Sequence, residues 1–443
     1  MTAKCSLVLA AAAVLAAGGC ATFDARPMMD DSFEAANKPA RTEWFMDQAL
    51  GMFVHWSVDS QLGCVISHSM VGASQDYLDR FIRDLPESFD PQRFDPDAWA
   101  KLAKLAGVRY VVFTTKHHSG FCMFHSKTTD FSIANTPYKR DITRRVVQAF
   151  RRQGLAVGFY FSPDDFWVLY RQGRDISRRR TEALPVNNPE LMAHNKAQLT
   201  ELLTNYGPID MLFIDGQPDG LKKLAWKLQP NIIITRGEME TPEQRLPDEP
   251  MPGPWEACFT LGTQWHFKPT NEDYKSGTKL IEMLIETRAK GGNLLLNVGP
   301  TPDGEIPFEQ TRRIREMALW LFINGEAVYD IRPWHVIREG DIWFTRAKDA
   351  ETVYAIVTKV DWPRGKRKSF TLKSVRATAE SEIELLGQSG RVLEYQPKVD
   401  PKATWTQDAD GLHISAMRAQ RIYNNSQWPN PVVIRITHAE PAD

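Results

Sequence analysis

The chain has 443 residues, 42% hydrophobic and 25% charged, a composition that fits a globular protein with one large domain and a smaller one. Its 54 basic and 55 acidic side chains leave a formal net charge of -1, and the one short basic run, Arg178-Arg179-Arg180, reads as a solvated helix face. Such a balance excludes a surface built to neutralise phosphates, so nucleic acid is not an expected partner.

The N-terminal segment reads as a targeting signal rather than part of the fold. Lys4 supplies a small positive region, and Leu7 to Ala17 is an apolar stretch too short to span a bilayer. It closes on Ala17-Gly18-Gly19-Cys20, which is similar to a bacterial lipoprotein signal with Cys20 as the lipidated residue, although Ala17 stands where Leu is usual. Secretion by cleavage after small residues is the alternative, and both readings predict export, as a periplasmic, outer-membrane-anchored or secreted protein. Residues 1–20 are therefore set apart. The remaining Cys64, Cys122 and Cys258 are an odd number without close spacing, giving neither a disulfide framework nor a metal-type pair.

Short apolar runs then alternate with amphipathic stretches. Strands are expected at Met52 to His55, Tyr110 to Thr114, Val157 to Phe161, Met211 to Ile214, Ile232 to Thr235 and Asn293 to Val298, with helices such as Pro96 to Ala106 and Ile142 to Gln153 between them. Alternation of this kind builds a parallel sheet, and residues 21–332 are predicted to form a (β/α)8-like barrel with some units irregular. Beyond Pro333 the texture changes to runs such as Ile342-Trp343-Phe344-Thr345, Val353 to Val357 and Val432 to Ile436. Residues 333–443 are read as a β-sandwich.

Reactive groups in a parallel barrel come from the C-terminal ends of its strands, where loops leave room for a substrate. Asp215 follows Met211-Leu212-Phe213-Ile214 directly and is the first candidate for a catalytic carboxylate, although a turn or helix cap would also place an Asp there. At the same end of other strands stand His55-Trp56, Lys116-His117-His118, Tyr160 and Arg236, a polar and aromatic set suited to a small hydroxylated ligand. Three histidines could also hold zinc. On an extended segment His117 and His118 would point to opposite faces, so hydrogen bonding to sugar hydroxyls is preferred and no metal is expected.

In order along the chain, Gly51-Met52-Phe53-Val54-His55-Trp56, Thr114-Thr115-Lys116-His117-His118-Ser119-Gly120-Phe121, Gly158-Phe159-Tyr160-Phe161-Ser162, Phe213-Ile214-Asp215-Gly216, Pro254-Trp255-Glu256 and Gly291-Gly292-Asn293-Leu294-Leu295-Leu296-Asn297-Val298-Gly299-Pro300 resemble the signatures of glycoside hydrolase family 29, the α-L-fucosidases. The resemblance runs from about residue 40 to 330 and continues weakly beyond. It implies a retaining exo-glycosidase without a cofactor, acting on fucosylated oligosaccharides or glycoconjugates, with Asp215 as nucleophile and His55, His117, His118, Tyr160 and Arg236 holding fucose. The family's acid/base occupies variable positions. Glu256, between Trp255 and the Cys258-Phe259 run, is chosen because it resembles the Trp-Glu element in which many relatives carry the acid and because apolar neighbours would raise its pKa, with Glu243 in reserve. Trp265 is a candidate wall for the apolar face of the sugar.

One stretch departs from the family. Where many relatives carry Gly-Glu-Trp, this chain reads Gly63-Cys64-Val65-Ile66-Ser67-His68-Ser69-Met70, so either His68 and Ser69 take over hydroxyl contacts or the sugar differs from fucose. A related sugar such as α-L-galactose, or a binding barrel that has lost turnover, are the alternative expectations.

Overall fold

The computed structural model describes residues 35–442 apart from 360 and 423–427. Cys20 and the expected signal segment lie outside the described residues.

Seven strands form one sheet: β1 (Leu50–Val54), β2 (Tyr110–Lys116), β3 (Ala156–Phe161), β4 (Met211–Ile214), β5 (Ile233–Ile234), β6 (Glu256–Thr260) and β7 (Asn293–Val298). Their spatial order is β5-β4-β3-β2-β1-β7-β6, and every pairing is parallel. All carboxyl ends therefore lie along one rim. Almost every strand residue is buried, as expected for strands covered on both faces.

The six expected strands are present, and β6 is one that the sequence did not announce. No continuous ladder joins β5 to β6 among the described residues, so the element is a curled seven-stranded sheet rather than eight regular units. The gap is crossed by the chain itself. After β5, the segment from Met239 to Gln244 makes isolated bridges, Glu240 with Trp255 and Glu243 with Cys258. That path brings Glu243 back to the rim.

Helices cover the outside. Pro96–Leu105 and Ile142–Arg152 fall close to their expected places, and Asp95 and Asp141 cap them by accepting the backbone N–H of Ala98 and Arg144. Inside the curl Phe45, Phe53, Tyr110, Val112, Tyr160, Met211, Phe213, Ile233, Cys258 and Leu295 pack together as the floor beneath the rim. Burial of one such large apolar side chain stabilises the fold by about 1.5–3 kcal/mol. Gly51 belongs to this packing: a Cβ there would sit 2.3 Å from the Tyr110 ring.

From Ile331 onward the chain is β-rich. A five-stranded antiparallel sheet (Ile383–Leu385, Val432–Thr437, Thr352–Val357, Ile342–Ala347 and Ile331–Glu339 in spatial order) and a three-stranded one (Arg367–Leu372, Gly411–Met417, Thr404–Asp408) enclose a core that includes Phe344, Ala355, Leu372, Leu412, Ile434 and Ile436.

Candidate active site

A cavity of about 340 Å³ opens at the carboxyl rim, lined by His55, His117, His118, Tyr160, Asp215, Arg236 and Trp265 together with Phe53, Phe213, Val65, Ile66, His68, Arg178, Glu243, Cys258 and Gln264. All the expected sugar-contacting residues thus meet in one place.

Asp215 directly follows β4, and its side chain is 17% exposed, into this cavity. The next residue, Gly216, adopts a φ of +147°, and a Cβ on it would come within 2.9 Å of Pro163, so only glycine lets the chain turn away there. The Tyr160 hydroxyl donates to Asp215 Oδ2 at 2.7 Å and Arg236 Nη1 donates to Oδ1 at 3.1 Å. His118 Nε2 lies 3.5 Å from Oδ2. Burial works against ionisation of this carboxyl, but the His118 imidazole, the Arg236 and Arg178 guanidinium groups and the Tyr160 hydroxyl overcome it and hold Asp215 well below the usual carboxylate range.

The histidines are neutral. Burial lowers His55 and His118 to about 3 and carries His117 well below its ordinary value. Each has one ring nitrogen fixed by a neighbour: His55 Nδ1 by Asn297 Oδ1 at 2.7 Å, His117 Nδ1 by Ser67 Oγ at 2.8 Å, and His118 Nδ1 by Ser162 Oγ at 2.6 Å. With Nδ1 occupied, Nε2 is the nitrogen left for the cavity. Trp265 flanks His55 with ring centroids 4.9 Å apart.

The expectation that His117 and His118 point apart is corrected. The chain leaves β2 at Lys116 and turns at once, with the Gly120 N–H bonding to the His117 carbonyl, so the two rings lie 4.1 Å apart and face the same cavity. Donor atoms of His117, His118 and Asp215 lie within 4.8 Å of one another, a spacing that could suit a metal ion. The charges do not suit one. Arg236 and Arg178 stand 3.1 and 3.6 Å from the one anionic donor of that group and would repel a divalent cation.

Glu256 does not reach the cavity. It opens β6 with no exposed surface, and its Oε2 accepts from the Tyr110 hydroxyl beneath the floor. Burial raises its pKa to about 7, as expected, but the environment that does so also keeps it from a substrate. Glu243 lines the cavity instead, with Arg236 Nη2 donating to its Oε2 at 2.9 Å. One guanidinium therefore holds both wall carboxylates.

Arg178 also departs from expectation. It lies outside any helix, half-buried, and points into the cavity, while its neighbours Arg179 and Arg180 are exposed. Its Nε donates to Asp164 Oδ2 at 2.5 Å. Nothing in a run of three arginines distinguishes the first, because its partner lies fourteen residues away on another loop. In the divergent stretch, His68, Val65 and Ile66 line the cavity but Ser69 does not; it accepts from Cys64. Ser67 is buried, at a φ of +58°, bonding His117 and the Ser119 N–H.

Comparison with known proteins gives a consistent result. The chain matches the family described as Alpha-L-fucosidase over residues 20–326 and that described as Alpha-L-fucosidase C-terminal domain over 337–437. It is 29% identical over 411 residues to the plasma alpha-L-fucosidase of Rattus norvegicus, covering 83% of this chain and 87% of that protein. Among solved structures it resembles alpha-L-fucosidase isoenzyme 1 from Paenibacillus thiaminolyticus, at 28% identity and a TM-score of 0.73, covering 91% of this chain and 99% of the other. A GH29 alpha-L-fucosidase from Bacteroides thetaiotaomicron is similar at 25% identity and a TM-score of 0.72, with 92% and 97% covered. With a family match over more than half its length, the chain belongs to the α-L-fucosidases of glycoside hydrolase family 29.

Proposed function

We propose that the protein is a retaining exo-α-L-fucosidase in which Asp215 is the nucleophile and Glu243, not Glu256, is the acid/base. The observation that carries this is the pair of carboxylates on one cavity wall, both bonded to Arg236 and different in exposure. In the first step Asp215 attacks the anomeric carbon while Glu243 gives its proton to the departing glycosidic oxygen; a fucosyl ester on Asp215 results. In the second step Glu243 takes a proton from water, which attacks the same carbon and frees Asp215. Charge held at Asp215 by two guanidinium groups keeps it ionised, as a nucleophile requires. Neutral His55, His117 and His118 offer Nε2 to sugar hydroxyls, Arg236 steadies both carboxylates, and Trp265 covers an apolar face of the ring.

Residues 21–332 are taken as the catalytic unit, approximating a (β/α)8 barrel whose eighth position is filled by the irregular Met239–Gln244 path, with 333–443 as the sandwich. Export with lipid attachment at Cys20 is proposed from the signal-like segment, with secretion as the alternative; the mass of the mature N-terminal peptide separates them.

The test is Asp215→Ala assayed on an aryl α-L-fucoside. Activity should be lost with folding kept, and azide should restore turnover in part, giving the β-fucosyl azide of inverted configuration. Unchanged turnover without azide would refute the role. Because Val65, Ile66 and His68 line the cavity from the stretch where the sequence departs from the family resemblance, a panel including aryl α-L-galactoside tests whether fucose is the preferred sugar.

A further inference from the structure

Asp164 takes no part in the reaction just described, and Arg178 enters it only as a charge, yet the pair stands against its nucleophile. Asp164 lies in the loop after β3 with 4% of its side chain exposed; Arg178 comes from a separate loop and is 34% exposed. Arg178 is bonded firmly at one end only. Its Nε is 2.5 Å from Asp164 Oδ2, but its Nη2 donates only a long bond, at 3.5 Å, to the Asp215 carbonyl and stops 3.6 Å from Asp215 Oδ1, whereas Arg236 bonds that same Oδ1 at 3.1 Å.

The separation has a chemical meaning. Asp215 already accepts from Arg236 on one oxygen and from Tyr160 on the other, and attack on a sugar needs a lone pair left free. A second full hydrogen bond from a guanidinium would fill the lone pair left on Oδ1 and make that oxygen a poorer nucleophile. The charge balance points the same way. Facing Asp215 are Tyr160, His118, Arg236 and Arg178; facing Asp164 are Arg178 and, at 3.8 Å, His118 Nδ1. The imidazoles are neutral and Glu243 carries the proton it gives to the leaving oxygen, so two guanidinium groups stand against two carboxylates, Asp164 and Asp215. The charges balance beside a transition state that is cationic at the sugar. Without Asp164 one net positive charge would stand there.

Resting on the assignment of Asp215 as nucleophile, we propose that Asp164 is a positioning residue that holds Arg178 just beyond hydrogen-bond reach of the Asp215 carboxylate, giving the nucleophile a second counter-charge without letting that charge capture it.

The experiment is a cycle of Asp164→Asn, Arg178→Gln and the double variant, with kcat expressed per site titrated by 2-fluoro-fucosyl fluoride, so that misfolded protein is not counted. Asp164→Asn frees Arg178 to close on Asp215, and kcat per site should fall roughly 10- to 100-fold with KM little changed. Arg178→Gln should cost less, and the double variant should regain most of what Asp164→Asn lost. If Asp164→Asn titrates no sites, the double variant should titrate them again. Wild-type kcat in Asp164→Asn, a double variant as slow as the product of the single losses, or a double variant that still titrates no sites would each overturn the proposal. Failure of the nucleophile assignment is separate: it would show as activity retained by Asp215→Ala.

Discussion

Glu256 offers a direct measurement of the difference between a carboxyl that serves the fold and one that serves the reaction. Its Oε2 accepts from Tyr110, and its Oε1 is buried without a partner next to Thr235, whose Oγ1 is likewise buried without one. Burial outweighs the Tyr110 hydroxyl, the Arg236 charge and the Thr235 hydroxyl, which favour the carboxylate, so the neutral acid is the form that fits the site. Burial accordingly raises the group from 4.5 to about 7. At about 1.36 kcal/mol per unit, the folded state favours the proton by about 3 kcal/mol. A raised carboxyl pKa makes the folded protein the stronger proton binder, so this stability is fully present below pH 4.5 and is lost as pH rises through 7. Glu256→Gln keeps the shape, with its amide donating to Thr235, and carries no proton to lose. Urea unfolding at several pH values should therefore show the wild type losing about 3 kcal/mol more than Glu256→Gln between pH 4.5 and 8. The variant should keep kcat/KM within a few-fold on a natural oligosaccharide, while Glu243→Gln should lose roughly 10²- to 10⁴-fold on the same substrate. Parallel stability curves for wild type and Glu256→Gln would refute the buried neutral acid. Loss of turnover in Glu256→Gln together with retention in Glu243→Gln would reverse the two roles.

Two further substitutions probe the frame around the site. Lys116 and Asp165 form an ion pair at 2.9 Å with neither side chain exposed, and Asn195 also accepts from Lys116 at 2.8 Å. Asp165→Asn leaves that ammonium without its counter-charge and should destabilise the protein by about 3–5 kcal/mol, read as a lower urea midpoint with an unchanged slope; a midpoint unchanged at neutral pH would contradict the pairing. Gly51→Ala would place a Cβ 2.3 Å from the Tyr110 ring and 2.8 Å from Leu295, and should cost about 1–3 kcal/mol by overpacking, visible in thermal denaturation. A melting temperature equal to wild type would mean that the sheet yields more easily than its packing suggests.

Much of this protein was legible locally. Apolar runs of four to six residues between amphipathic stretches gave six of the seven parallel strands, because a strand buried on both faces is mostly apolar. β6 escaped notice because Glu256-Ala257-Cys258-Phe259-Thr260 opens on a carboxyl group, and burial that raises its pKa, with the Tyr110 hydroxyl donating to it, makes that residue tolerable inside. The rim was legible for the same reason as the strands: a polar residue at or just beyond the end of a buried parallel strand emerges at the sheet's carboxyl edge, which is how Asp215, His55, His117, His118, Tyr160 and Arg236 were found together.

The sequence alone thus determined the family, the alternation of elements and the residue at each strand end, since these depend on neighbours a few positions away. Only the tertiary structure decided which glutamate faces the cavity, how two adjacent histidines share it, and why Arg178 differs from the arginines beside it. Those outcomes depend on contacts between loops far apart in the chain: the return of Met239–Gln244 along β6, the turn after Lys116, and the meeting of Arg178 with Asp164. Burial and charge pairing act through space, and no local pattern of residue types encodes the distance over which they act.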